Sequence, residues 1–170
     1  MKSVLQDPAR HRHGPGRRRS RRALVGWLAL CFAASASAIF VSTGGWYAAL
    51  HKPAWNPPAW LFGPVWTLLY IMMAVAAWLV WREGGWREQR RPLGLFLGQW
   101  LLNALWTPLF FGLHLAGPAF AEIVVLWLVL AATLRSFWRV RPLAGFLLLP
   151  YLAWVSFAAA LNFALWRLNP

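Results

Sequence analysis

Along this chain, long apolar stretches alternate with short polar or Gly/Pro-marked breaks. The apolar stretches run from Ala23 to Thr43, about Ala59 to Trp81, Pro92 to Phe111, Pro118 to about Trp138, and from the turn at Pro142 to Trp166. Each is close to the roughly 20 residues that a helix needs to cross the hydrocarbon of a bilayer. The breaks are Gly44–Gly45, then Arg82, Glu83 and Gly84–Gly85, then Gly112 to Gly117, then Arg139, Arg141 and Pro142. Pro92 and Pro118 fall at helix starts, where a missing N–H does no harm. The pattern predicts an all-α fold, a five-helix transmembrane bundle whose tight turns make consecutive helices antiparallel neighbours.

One segment breaks the alternation. Between the first and second helices, WYAALHKPAWNPPAW carries Pro53, Pro57 and Pro58 and so cannot be one continuous helix. It also holds Trp46, Tyr47, Trp55 and Trp60, too many rings for a solvated loop. An aromatic, Pro-rich loop feeding a membrane helix reads as a lid over a cavity.

Composition supports a bilayer setting: of 170 residues, 60% are hydrophobic and 12% charged, against about a quarter charged in soluble domains. Residues 23–170 then form one membrane domain, and Met1 to Arg22 a disordered basic arm. Of the 17 Lys and Arg, eight lie in that arm, four between Arg82 and Arg91, and three between Arg135 and Arg141, all on one side of a five-span topology. Only Lys52 and Arg167 fall on the other. This bias predicts a multi-pass protein of a bacterial inner membrane, with a cytoplasmic N-terminus and the lid on the far face. The arm is read as an anchor for the first span rather than a nucleic-acid site. Trp78, Trp81, Trp86, Trp138 and Trp166 sit near span ends, as interfacial indoles do. Trp66, Trp100, Trp106, Trp127 and Trp154 lie deeper and need another explanation.

Catalytic chemistry finds little support. There is no paired carboxylate, no Cys/His cluster, no nucleophile elbow and no phosphate-binding loop. His11, His13, His51 and His114 are too scattered for a metal site, and Cys31 is the lone cysteine. Polar and aromatic groups do recur at helical spacing inside the spans. Gln99, Asn103 and Trp106 share one face of the third helix; Phe62, Trp66 and Tyr70 share one of the second. On the fifth, Tyr151, Trp154 and Ala158 align, with Asn162 a turn further on. An amide left unpaired in hydrocarbon is costly, so these faces should turn inward, either to pack or to line a pocket for a large flat ligand. Glu122, in the first turns of the fourth helix, is expected to be stabilised by the helix dipole. Gly94 and Gly98 form a G-x-x-x-G pair suited to close helix approach, in a homodimer or within the bundle.

WYAALHKPAWNPPAW, GPVWTLLY, GQWLLNALWTPLFFG and PLAGFLLLPYLAWVSFAAALNFALWR, in that order, resemble the translocator protein (TspO, tryptophan-rich sensory protein, peripheral benzodiazepine receptor) family over about Trp27 to Arg167. The resemblance implies five membrane helices around a pocket capped by the first loop, with porphyrins and other tetrapyrroles, sterols in animals, and synthetic drugs as ligands. Carried over by position, it assigns ligand binding to Trp55, Trp66, Tyr70, Asn103, Trp106, Trp154, Phe157 and Ala158. No cofactor or metal is implied; a porphyrin would be the ligand. Phe163 stands where the animal sterol-recognition segment has Tyr, so that motif is incomplete here. The function expected is tetrapyrrole transport, sensing or regulation. The alternatives are a light-dependent porphyrin-degrading enzyme, with Trp66 and Trp154 facing the ligand, and a regulatory scaffold with a lipid-filled cavity.

Overall fold

A computed structural model of the chain describes residues 17–36 and 45–170. Among these residues every regular element is helical: α1 (Arg17–Ala33), α2 (Gly45–Ala49), α3 (Phe62–Trp81), α4 (Gly85–Glu88), α5 (Arg90–Thr107), α6 (Ala116–Val140) and α7 (Pro142–Leu168). Short helical turns extend two of them. Ala59–Leu61 leads into α3, and Pro108–Gly112 continues α5.

The count differs from the five expected, for two physical reasons. The extra helices α2 and α4 are single turns inside connections. In addition, four stretches are long and apolar enough to cross a membrane among the described residues: Ala59–Trp81, Arg90–Gly112, Ala116–Val140 and Pro142–Leu168. The expected first span, Ala23 to Thr43, is described only as far as residue 36; the rest lies outside the described residues. Of the arm, residues 1–16 also lie outside. Residues 17–22, expected to be disordered, instead form the first turns of α1. Arg has good helix propensity, and joining an apolar helix removes the cost of nucleation.

Helix α1 packs on α3, α3 on α7, α7 on α6, and α6 on α5. Two indoles fasten α1. Trp78 Nε1 donates to the Ser20 carbonyl at 2.9 Å, and Trp100 Nε1 donates to the Leu30 carbonyl at 2.9 Å. Trp86, Trp138 and Trp166 are exposed near helix ends, as interfacial rings should be. Between them the outer surface is apolar, with Leu68, Ile71, Leu101, Val125, Leu128 and Phe146 exposed. In water that surface would be a liability; against lipid tails it is the stable arrangement.

The basic ends come together. Arg141 pairs with Glu83 at 3.1 Å, joining the ends of α3 and α7, and Gln89 Nε2 donates to the Glu83 carbonyl at 2.7 Å. Gly84 adopts φ 108°, a left-handed conformation open to glycine, and so lets α3 stop short of α4. At the same end α6 turns directly into α7 through Arg141. A Cβ on the buried Gly145 would lie 2.9 Å from Trp138 Cα, so the first turn of α7 is as close to α6 as glycine permits.

Candidate functional site

The lid covers the opposite end. After α2 the chain runs through Lys52 and Pro53 to Pro57 and Pro58, and Pro58 (φ −65°, ψ 143°) introduces the turn that starts α3. Backbone groups that this irregular segment cannot pair with itself are taken up by side chains. Asn169 Oδ1 accepts from the His51 N–H at 2.9 Å, and Asn169 Nδ2 donates to the His51 carbonyl at 3.0 Å, a two-bond latch onto the end of α7. Tyr47 donates its hydroxyl to Asn56 Oδ1 at 2.9 Å, and Asn56 Nδ2 donates to the Pro57 carbonyl at 3.0 Å. Burial pushes the Tyr47 phenol above its ordinary range, with the Asn56 hydrogen bond acting against that shift. The Trp46 indole stacks on His114, ring centres 4.4 Å apart, and so seats the lid on the α5–α6 connection.

Beneath the lid lies a cavity of about 630 Å³, within the range of roughly 300–1,000 Å³ typical of small-molecule sites. Trp66 and Tyr70 from α3, Asn103 and Trp106 from α5, and Trp154, Phe157 and Ala158 from α7 all line it. Helical periodicity puts all of these but Phe157, which comes from the resemblance, on inward faces, and the fold brings the three faces together. Trp55, assigned by the resemblance, is not among the lining residues. It is half exposed on the lid, and its ring meets Phe157 edge-on at 5.8 Å. Trp55 thus touches the wall through Phe157, which does line the cavity.

The polar groups of the cavity are few and placed by partners. Asn103 Nδ2 lies 3.5 Å from the Tyr70 hydroxyl, a long contact that leaves the amide its other hydrogen-bonding capacity. Asn162 is committed to structure: its Oδ1 accepts from Trp106 Nε1 at 3.1 Å, and its Nδ2 donates to the Ala116 carbonyl at 2.8 Å. It therefore ties α5, α6 and α7 at one point and fixes the tilt of the Trp106 ring.

Several lining residues escape sequence reasoning. Ile123 and Leu126 of α6 line the cavity but are aliphatic positions in the run from Ile123 to Ala132, apolar throughout, so they carry no contrast. Phe110 and Phe111 also line it, two bulky consecutive rings beyond the face that the spacing of Gln99, Asn103 and Trp106 marks. The turn holding them is a π-helix, closed by Leu113 N–H on the Pro108 carbonyl at 2.9 Å, and its wider winding admits both rings. Pro108, with no N–H for the α-helical ladder, is the signal in the sequence.

Among the described residues three buried polar side chains have no hydrogen-bond partner: Gln99, the carboxylate of Glu122 and the Tyr151 hydroxyl. For Gln99 the expected inward face is correct, since it is fully buried, but it does not line the cavity. For Glu122 the expected role at the helix start fails. It lies a turn and a half beyond Ala116, past the open N–H groups, and its oxygens accept nothing. Gly98 approaches Val129 of α6 at 3.8 Å from its would-be Cβ, whereas Gly94 faces open space. Half of that glycine pair thus serves packing within the bundle. Among the described residues no group of three metal-ligating side chains occurs.

The TspO/MBR family model matches residues 24–167. The chain is 48% identical to the translocator protein of Sus scrofa over 126 residues, covering 73% of this chain and 75% of that one. It is 43% identical to protein CrtK of Rhodobacter capsulatus over 144 residues, 82% of this chain and 88% of the relative. With the tryptophan-rich sensory protein of Cereibacter sphaeroides it shares 40% identity over 143 residues, 84% and 89% of the two chains.

Proposed function

The chain belongs to the TspO/MBR family of membrane proteins, and on that premise we propose that it binds porphyrins or similar flat hydrophobic ligands in the cavity beneath its lid and acts in tetrapyrrole transport, sensing or regulation. One observation carries this reading. Rings from three separate helices, Trp66, Trp106 and Trp154 among them, surround a space of about 630 Å³ that contains Asn103 as a hydrogen-bonding group. Stacking on indole holds a planar guest, and an amide with spare capacity orients it. In this reading α1 belongs to a fifth span. The Arg-rich helix ends lie in the cytoplasm, in a bacterial inner membrane, and the lid opens on the far side.

Quenching of tryptophan fluorescence by protoporphyrin tests the cavity. Trp66→Ala and Asn103→Ala should each weaken binding by more than about 1 kcal/mol, the size of a lost ring contact or buried hydrogen bond. Equal affinities for wild type and both variants would remove the proposed site.

A light-dependent degradation of porphyrin is the second reading, favoured by the presence of both Trp66 and Trp154 on the cavity wall, where a photoexcited ligand would meet them. Illuminating the purified protein with protoporphyrin separates the two readings: a pigment spectrum that changes no faster than without protein rules out the enzyme. The open Gly94 face, flanked by exposed Leu101 and Leu105, is the surface for a homodimer. Cross-linking or sedimentation of Gly94→Leu against wild type tests it.

A further inference from the structure

We infer that Lys52 selects, among flat hydrophobic ligands, those with an anionic edge, holding a ligand carboxylate at the rim while the rings occupy the cavity; this rests on the cavity reading above. Among the described residues none that lines the cavity is charged. A carboxylate pushed among those rings would lose its hydration with no cation to replace it, which is prohibitive in a membrane interior. An acidic ligand can therefore enter only with its acid groups left at an edge. Exposed residues that also line the cavity are Ala48 and Ala59 in the lid, with Gly63 and Ser35 further along the wall.

Lys52 stands at that edge. Its ammonium donates to the carbonyl of Ala48, a lining residue, at 3.0 Å and to the Leu50 carbonyl at 3.2 Å. It also lies 4.9 Å from the ring centre of Tyr47, another lining residue. An ammonium has three donors, and these two bonds leave one. Its charge is not cancelled locally. Among the described residues the only ion pair is Arg141–Glu83, at the opposite end of the bundle; Glu88 belongs to that end too, and the Glu122 carboxylate, within α6, pairs with nothing. The backbone carbonyls and the Tyr47 face fix where the cation sits without neutralising it, which is the arrangement that receives an anion.

The test compares protoporphyrin, a dicarboxylic acid, with its neutral dimethyl ester, both read by fluorescence quenching in a neutral detergent at low salt. Wild type should bind the acid about three- to tenfold more tightly than the ester, the range for a partly exposed, charge-assisted contact. That ratio should shrink as salt is raised. Lys52→Met should bring the ratio to about one while leaving ester affinity unchanged, and Lys52→Arg should keep the preference. Arg167→Gln, at the same end but not a lining residue, should keep it as well. A preference for the acid that survives in Lys52→Met, or is absent from wild type, overturns the assignment to Lys52. If wild type binds neither compound, the cavity reading fails and the inference falls with it.

Discussion

Trp106 and Asn162, 56 residues apart in the chain, are joined by an indole N–H···O hydrogen bond of 3.1 Å, and the same amide donates to the Ala116 carbonyl at 2.8 Å. One buried side chain thus satisfies a group on each of two other helices. Asn162→Leu should lower stability by about 1–3 kcal/mol, because it strands the Trp106 N–H in an apolar interior and removes the tie to the Ala116 carbonyl. Thermal unfolding in detergent checks this. Trp106→Phe added to Asn162→Leu should cost less than the sum of the two single changes, since the stranded donor is gone.

Gln99 makes the opposite prediction. Its amide is fully buried and has no partner, so replacing it by the similarly shaped but apolar Met removes a desolvated group and loses no hydrogen bond. Gln99→Met should leave the melting temperature unchanged or raise it. A large drop would mean that the amide is satisfied in the folded protein.

The latch at Asn169 concerns rates. Asn169→Ala removes both hydrogen bonds to His51 and leaves the cavity wall intact. Ligand association and dissociation should both speed up several-fold, with little change in affinity, because lid opening is made easier for entering and leaving alike. Stopped-flow quenching measures both rates. A changed affinity at constant dissociation rate would count against the latch.

At the turn between α6 and α7, Gly145→Ala should be destabilising by about 1–3 kcal/mol, since the added methyl meets Trp138 backbone at 2.9 Å. The same change at Gly94, which faces open space, should cost nothing beyond the small gain in helix propensity that Ala brings. Parallel melts of the two variants compare a crowded and an open glycine on equal terms.

How far the sequence reached depended on contrast. Trp66, Tyr70, Asn103 and Trp154 are large or polar groups among Leu, Ala and Val, so their spacing marked the inward faces before any coordinates did. Ile123 and Leu126 had no such contrast, since lipid and cavity walls accept the same aliphatic side chains. Glu122 was conspicuous but misassigned, because position in a helix says which face a residue shares and not whether a donor waits there. The helical state of residues 17–22 was hidden by composition, which records charge and not the apolar helix that follows. Trp55 came from the resemblance, and the lid's folding over Phe157 placed it outside the wall.

The wide turn at Pro108–Gly112 has one further implication. It holds one residue more per winding than the helix it continues, and everything after it, including the seat of Trp46 on His114, is phased by that surplus. A single-residue deletion there would rotate the connection by about 100°, the angular step of an α-helix. Phe111 would swing off the wall and His114 out from under the lid. The roof of this protein is thus indexed by an integer, and losing one count would unseat it even with every ring still present.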